Sequence, residues 1–579
     1  MESQKVENLL NLALFATPEE RAQSGQLRVG YDAASQTFEV LIRYQGDLSP
    51  LDSAGWEYTK LLGNYAILRL PQSDVDAVSL LPQVIFMEKP KQMYFAAANG
   101  RAASCINPVQ SGSAAGVPLT GRGVLVACID SGADYTHPDF RNPDGSSRIL
   151  RLWDQTIPAG PPPDGYRLGT LYTQEQLNDA LSSSSPLEQI PSRDTSGHGT
   201  AVLGVAAGNG LASDGVLKGV APEAELAVVK LGTPEAGGFP RTTQLMQALD
   251  YVVRLSIELS LPLSVNLSFG NSYGSHSGDS LLETYMDTVS NLGQNTICVG
   301  TGNEGEGKTH RAGQMVQGEP LDTEFFVGSY SLSTSLQIWK QYVDAADLLL
   351  IHPDGETAGP LRPILGPLRL RIRNTEILAY YGMPSPFSLL QEIYLDFLPA
   401  AGSSFVDSGS WTVRLIPQKI VDGHFHMWLP GGGSDSSAAF YLSSPDTTLT
   451  IPSTARRAIS VGAYNSGLQS YAPFSGRGNA VLQGGAKPDL AAPGVDVQAP
   501  RPGGGYGVFT GTSFATPFVT GSAALMMEWG IVRGNDPFLY GEKVKAYLRN
   551  GAKPLPGIRE YPDPRVGYGA LCLRESFPK

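Results

Sequence analysis

Apolar side chains change their spacing several times along the chain, and each change predicts a different kind of element. Leu9 to Ala16 repeats at helical spacing and reads as an amphipathic helix. From about residue 27 to 95 short alternating runs take over. Phe38-Glu39-Val40-Leu41-Ile42, Tyr65 to Leu70 and Val84 to Glu88 predict three strands. Leu51 to Leu61 and the stretch opened by Pro71 predict intervening helices, the second capped by Ser73 or Asp74. That order predicts a small α+β unit with helices on one face of an antiparallel sheet. Ala96-Ala97-Ala98-Asn99-Gly100 follows as a small-residue linker open to cleavage.

Beyond Gly121 the runs become continuously apolar: Val124 to Ile129, Ala227 to Leu231, Ser264 to Ser268 and Thr296 to Gly300. Strands of this kind are buried on both faces, and with helical stretches such as Thr243 to Ser256 between them they predict a parallel α/β sheet. Between about Gln314 and Thr450 short alternating strands return: Phe325 to Val327, Leu348 to Ile351, Leu368 to Ile372, Glu392 to Phe397, Trp411 to Ile416 and His424 to Leu429. Turns rich in Gly, Pro and Ser separate them, which predicts a β-sandwich inserted into the α/β domain. The α/β rhythm resumes at Ala458-Ile459-Ser460-Val461-Gly462 and continues to about Gly569.

Three short segments carry chemistry. Asp130 ends a predicted strand, so its carboxylate emerges at the carboxyl edge of the sheet, where α/β proteins place their sites. His198, between Gly197 and Gly199, starts a small-residue helix. Ser513, in Gly511-Thr512-Ser513-Phe514-Ala515, opens a helix and sits at its positive dipole end, with Pro517 expected within the unpaired first turn. Taken singly, each is an ordinary cap or loop. Taken together, Asp130, His198 and Ser513 form an acid, an imidazole and a hydroxyl in sequence order, with Asn303 between as a donor for an oxyanion. That set suits acyl transfer: Ser513 attacks a carbonyl, His198 moves the proton, and Asp130 holds the imidazole tautomer and its cation.

Composition narrows the field. The chain has 579 residues, too many for one core, and 41% hydrophobic with 17% charged residues is an ordinary globular balance. A net charge of -13 speaks against a nucleic-acid partner, whose phosphates need a basic surface. No run reaches the apolar length of a membrane-spanning helix, so no membrane partner is expected. The first residues, with Glu2, Lys5 and Glu7 ahead of the apolar stretch, do not read as a signal peptide. Cys105, Cys128, Cys298 and Cys572 form no CxxC pair; a disulfide framework is not expected, and a reducing compartment fits. Cys128 and Cys298 read as buried strand residues. His424 and His426 share one strand face, where solvated or packed rings outweigh metal binding. Asp134, Asp139 and Asp144 lack an EF-hand spacing, so no cofactor is required and calcium is left open.

The motifs resemble the signature blocks of subtilisin-like (S8) serine proteases: Asp130-Ser131-Gly132-Ala133-Asp134 with His137-Pro138, Gly197-His198-Gly199-Thr200, and Gly511 to Pro517. Lys487 to Gly494 is similar to the family segment that leads to the nucleophile. Ser268-Phe269-Gly270 stands in place of its substrate-pairing strand. The separation of 210 residues from Asn303 to Ser513, with the short leading unit, resembles that of the Csp germination proteases of spore-forming clostridia. This resemblance implies a subtilase α/β sheet flanked by helices, an α+β prodomain over 1–98 and an inserted jelly roll over 312–450. The catalytic domain would be split between 99–311 and 451–579. It implies a prodomain that acts as folding chaperone and inhibitor, passes Tyr94, Phe95 and Ala96 to Asn99 through the site, and stays bound after self-cleavage. Ala96, Ala97, Ala98 and Asn99 all qualify on the acyl side. The implied substrate is the zymogen of a spore cortex-lytic hydrolase, with other Csp-like proteins as further partners and deposition in the spore after synthesis in the cytoplasm. The competing readings are a prodomain-blocked pseudoprotease scaffold in germination signalling and a general intracellular subtilase.

Overall fold

The alternation before residue 95 builds one antiparallel sheet. A computed structural model describes the chain apart from residues 1–4, 25, 92–93, 96–101, 114–115, 233–239, 365, 432–437, 479–485 and 579. It divides into two units: Met1–Gln92 with Asn271–Leu281 and Glu306–Thr448, and Met93–Gly270 with Leu282–Gly305 and Leu449–Lys579.

In the first unit the strands Tyr31–Asp32, Thr37–Tyr44, Tyr65–Pro71 and Glu57–Leu61 lie in that order, with Val84–Glu88 also on Thr37–Tyr44. The helix predicted over Leu51 to Leu61 is mostly a strand. Only Ser49–Ser53 is helical; Gly55, at φ +73°, turns the chain, and Glu57–Leu61 then joins the sheet edge. Glycine breaks a helix there, and Tyr58 and Thr59 favour the pleated surface. Nor does Asp74 cap Val75–Ser79: its carboxylate accepts from Trp56 Nε1 (2.9 Å) and Ser73 Oγ (2.7 Å) instead.

Strands from His310 to Phe440 form two antiparallel sheets. One runs His310–Gln314, His424–Trp428, Thr334–Gln341, Leu390–Pro399, Thr375–Tyr381, Gly366–Ile372. The other runs Thr357–Leu361, Ala345–Ile351, Gly409–Lys419, Leu321–Val327, Ala438–Phe440. Phe325, Ile338, Leu348, Leu395, Phe397 and Trp411 fill the space between them, so the predicted sandwich is present.

The Asn8–Phe15 helix buries Leu9, Leu10, Leu12 and Ala13 in a core shared with the sandwich residues Leu378, Tyr380, Tyr394 and Leu398. Polar rungs line the same seam. Asn8 Nδ2 donates to Glu392 Oε2 (2.9 Å), Ser24 Oγ donates to Asp396, and Arg369 Nη2 donates to Glu20 Oε2 (2.8 Å).

The second unit holds the large sheet. Its parallel strands run Ile459–Asn465, Asn295–Gly300, Leu263–Leu267, Leu125–Asp130, Glu225–Lys230, Ile149–Asp154, with Leu490–Pro493 on the outer side of the first; Ser470–Tyr471 and Thr170–Thr173 add antiparallel edges. The helices His198–Ala207 and Thr512–Met527 are buried throughout. Asp489, at the foot of Leu490–Pro493, accepts from Ser460 N (2.6 Å), Lys487 Nζ (2.9 Å) and Arg549 Nε (2.8 Å). Burial pushes its carboxyl up, but Lys487, Lys545 and Arg549 outweigh burial and hold it well below the usual carboxylate range.

Cys128 and Cys298 are free and buried, as their apolar runs predict. Cys105 and Cys572 are joined by a disulfide, contrary to the sequence reading, and the argument for a reducing compartment loses that support. The two lie 467 residues apart, and only the fold brings their Cα atoms to 4.8 Å.

Burial raises Glu7, Glu392 and Asp396 to about 7. A carboxyl whose folded pKa lies above its unfolded value holds its proton better when folded, so stability falls as pH rises from the unfolded to the folded pKa. The thermal transition of the first unit should therefore move down between about pH 4.5 and pH 7 and level off above it. One such group contributes about 3 kcal/mol. Glu392→Gln should flatten the profile in a calorimetric pH series.

Candidate active site

Asp130 is the last residue of Leu125–Asp130 and has no exposed surface. Its Oδ1 accepts from Ser131 N (2.7 Å) and pairs with His198 Nδ1 at 2.7 Å. That pairing leaves Nε2 as the ring atom that can exchange a proton with a nucleophile. The helix bearing His198 packs hard against the strand end. A Cβ on Gly199 would lie 2.1 Å from Gly132 O and 3.1 Å from Asp130 Oδ1, so only glycine permits the 2.7 Å contact beside it.

Asp194 sets the start of that helix, and the sequence reading missed it. Its Oδ1 accepts from Gly197 N (2.9 Å) and Ser131 Oγ (2.8 Å), and its Oδ2 accepts from Thr200 N (2.8 Å) and Thr200 Oγ1 (2.7 Å). Ser131 Oγ in turn accepts from Gly199 N (2.9 Å). An aspartate shortly ahead of a helix that opens on Gly-His-Gly was the available signal.

Ser513 enters the Thr512–Met527 helix through Gly511, whose φ of 147° and ψ of 175° suit glycine alone. Pro517 lies beyond the first turn, not within it as the sequence reading had it. A proline there has no N–H for the carbonyl four residues back, which is that of Ser513. Ser268 supplies the missing donor: its Oγ donates to Ser513 O at 2.8 Å, and Ser513 Oγ donates to Ser268 O at 2.6 Å. Asn266 Nδ2 fixes Ser268 Oγ at 2.8 Å. The nucleophile is thus tied to the strand that should align substrate. Its neighbour Phe514 meets the His198 ring edge-on at 5.5 Å, which brings the imidazole against the start of the serine's helix.

Asn303 follows the Asn295–Gly300 strand. Its Oδ1 accepts from Thr512 N (3.0 Å) and Thr512 Oγ1 (3.2 Å), so the amide presents Nδ2 at the nucleophile's doorstep as an oxyanion donor. Phe269–Gly270 carries a partner strand already: Tyr94–Phe95 pairs with it antiparallel, Phe95 opposite Phe269 and Tyr94 opposite Gly270. This is the geometry by which an extended peptide adds to a sheet edge. Ala96, Ala97, Ala98 and Asn99, the residues expected to reach the site, lie outside the described residues.

Residues 121–331 and 433–569 match the subtilase family, and residues 4–91 match the Csp protease B prodomain. The chain belongs to the subtilase family. Among solved structures this subtilase is similar to the CspB protease of Clostridium perfringens, at 35% identity and a TM-score of 0.75, over 82% of this chain and 96% of that one. Subtilisin amylosacchariticus of Bacillus subtilis subsp. amylosacchariticus is 36% identical over 121 residues, 21% of this chain and 28% of the subtilisin. Serine protease AprX of Bacillus subtilis (strain 168) is 32% identical over 158 residues, 24% of this chain and 33% of AprX. This subtilase therefore spans about a quarter to a third of the length of these two relatives.

The weaker candidates separate from the site. Asp134 Oδ2 accepts from Gly503 N (2.9 Å), and the His137 ring contacts Gly505 O (3.2 Å), so both shape the loop at the rim. Asp139 accepts from the Tyr506 hydroxyl, and Asp144 closes a turn on Ser146. His424 is exposed beside Asp422, whereas His426 turns to His310 at 3.0 Å and stacks on Trp428. Among the described residues no group of three or more His, Cys, Asp or Glu could hold a metal ion.

Asn303→Ala should lower kcat by about 10²–10³ with little change in KM, the loss known for the analogous asparagine of a subtilisin, measured on a peptide substrate. Asp194→Ala orphans the buried Gly197 and Thr200 amides and should cost about 3 kcal/mol in denaturant unfolding.

Proposed function

We propose that this subtilase is a serine endopeptidase that cleaves its own chain after the first domain and then activates a protein zymogen by limited proteolysis. The observation that carries the first step is the antiparallel pairing of Tyr94–Phe95 with Phe269–Gly270. Ser513 Oγ bonds the carbonyl of Ser268, the residue directly before that paired strand, at 2.6 Å. His198, oriented by Asp130, takes the Ser513 proton and returns it to the leaving amine; Asn303 Nδ2 and the Ser513 amide receive the oxyanion.

The substrate reading rests on likeness. The Csp prodomain match over residues 4–91 and the resemblance of the long insert to the Csp jelly roll favour a spore cortex-lytic hydrolase zymogen as the target, cut during germination. The cleaved prodomain remains as a partner, because the core it shares with the sandwich does not depend on the linker bond. Production in the cytoplasm and storage in the spore follow from the same reading.

Intact mass measurement of the wild-type chain beside Ser513→Ala tests the self-cleavage. Wild type should give a fragment ending between Tyr94 and Gly100, and the variant should stay whole at 61.6 kDa. Two intact chains would sink the self-maturing protease in favour of a scaffold. Rapid degradation of casein by the matured enzyme would instead favour general protein turnover over a single zymogen.

A further inference from the structure

Three charged residues stand side by side at the carboxyl edge of the large sheet, and the chemistry above uses one of them. Lys230 ends its strand between the other two, in register with Asp130 on one side and with Asp154 on the other. Parallel strands in register turn such residues to one face, and none of the three is more than 5% exposed. Asp154 Oδ1 accepts from Thr156 N (2.8 Å) and Thr156 Oγ1 (2.6 Å). Its Oδ2 accepts from Ser192 Oγ (2.6 Å) and lies 3.6 Å from Lys230 Nζ. Cys128 lies beside Asp130 and Asp194, and Tyr172 beside Asp154; burial first, then these carboxylates, push both groups up, so both stay neutral at pH 7. Arg193, the next cationic residue along the chain, is exposed.

Lys230 reaches both halves of the acid–imidazole pair. Its stem backs the turn that follows Asp130: a Cβ on Gly132, at φ +111°, would lie 3.1 Å from Lys230 Cδ. The His198 helix presses on the same turn from Gly199, whose Cβ would lie 2.1 Å from Gly132 O. The Lys230 ammonium donates to Arg193 O at 2.7 Å, one residue ahead of the Asp194 that accepts from Gly197 N. Buried, its charge is screened little by solvent. We propose that Lys230 is a positioning residue for the proton transfer: it holds the Asp130 turn and the segment before the His198 helix in place, and its charge sets the pH at which His198 becomes a base. The inference rests on the reading of His198 as the base of a serine endopeptidase.

The sign follows from the charges. Asp130, Asp154 and Asp194 favour the imidazolium, and the Lys230 ammonium opposes them. Without the cation His198 keeps its proton to higher pH, so the acid limb of kcat/KM, which reports the free enzyme's base, moves up. Without the Asp154 charge the ammonium acts more strongly, and the limb moves down. A side chain that only filled space would lower activity at every pH and leave the limb in place.

The pH profile of kcat/KM on a peptide substrate is the test, taken on the full chain with Lys230→Met, Lys230→Arg or Asp154→Asn. Methionine keeps an unbranched stem against Gly132 and loses the charge. Its acid limb should rise by about half a pH unit, with plateau kcat down about tenfold and KM changed by less than about twofold. Arginine keeps the charge and should return the limb to its wild-type place. Asp154→Asn should lower the limb by about half a pH unit, and it decides the matter should the methionine variant fail to fold. The same shifts should appear in an NMR titration of His198 in full-length Ser513→Ala chains carrying isotope-labelled histidine. That titration needs no turnover, so it decides the role of Lys230 even where an inactive wild type sinks the endopeptidase reading. A titration that stays put in either folded variant, or moves with arginine as it does with methionine, would overturn the proposal.

Discussion

Asp130 has no exposed atom, and a carboxylate so placed persists only while donors surround it. Two donors reach Oδ1, the Ser131 amide and His198 Nδ1, while Oδ2 meets no partner among the described residues. A charge this incompletely satisfied gains most when the imidazole becomes a cation, which is the state the reaction creates. Much of the second unit follows from holding that pair at 2.7 Å. The His198 helix must touch the strand end, so Gly199 carries no side chain, and Asp194 with Ser131 must satisfy the amides that the approach exposes.

The nucleophile obeys a second constraint of the same kind. Pro517 removes one helical hydrogen bond close behind Ser513, and the carbonyl it frees is taken by Ser268. The apparent defect thus locks helix and substrate strand together through two serines. Asn303 reaches the same helix start from another strand, and Thr450 N donates to Thr301 O at 2.9 Å just where the chain returns. The long excursion between Asn303 and Thr450 therefore leaves and rejoins the second unit beside one hydrogen bond. Loop-closure entropy grows only slowly with length, so a whole sandwich can be accommodated there without loosening the oxyanion loop.

The legible parts of the chain were those whose information is local. Continuous apolar runs fixed the parallel strands to within a few residues, and alternation fixed the sandwich, because period two and full burial leave unambiguous traces. The meeting of Asp130 with His198, and of Asn303 with the residue before Ser513, was legible because each stands beside its own punctuation. Leu51 to Leu61 misled because apolar spacing alone does not distinguish a helix from a turn and an edge strand when Gly55 stands between them. Pro517 misled by one turn, since the donor that compensates it, Ser268, lies 245 residues from the Ser513 carbonyl it serves. The Cys105–Cys572 bond depends on a contact of that long-range kind, which no window of sequence contains, whereas Asp194 bonds Gly197 and Thr200 within one short window and carried a local signal.

The insert also changes what the leading domain can be. Its helix Asn8–Phe15 buries Leu9, Leu10 and Leu12 against a core that includes Tyr394 and Leu398, and Asn8 bonds Glu392 across 384 residues of sequence. A domain that completes its core on a partner is marginal alone, since burial must offset the entropy of ordering about 90 residues. The leading domain and the sandwich are for that reason one folding unit, and the three carboxyl groups on their seam, buried and easily protonated, make its strength a function of pH.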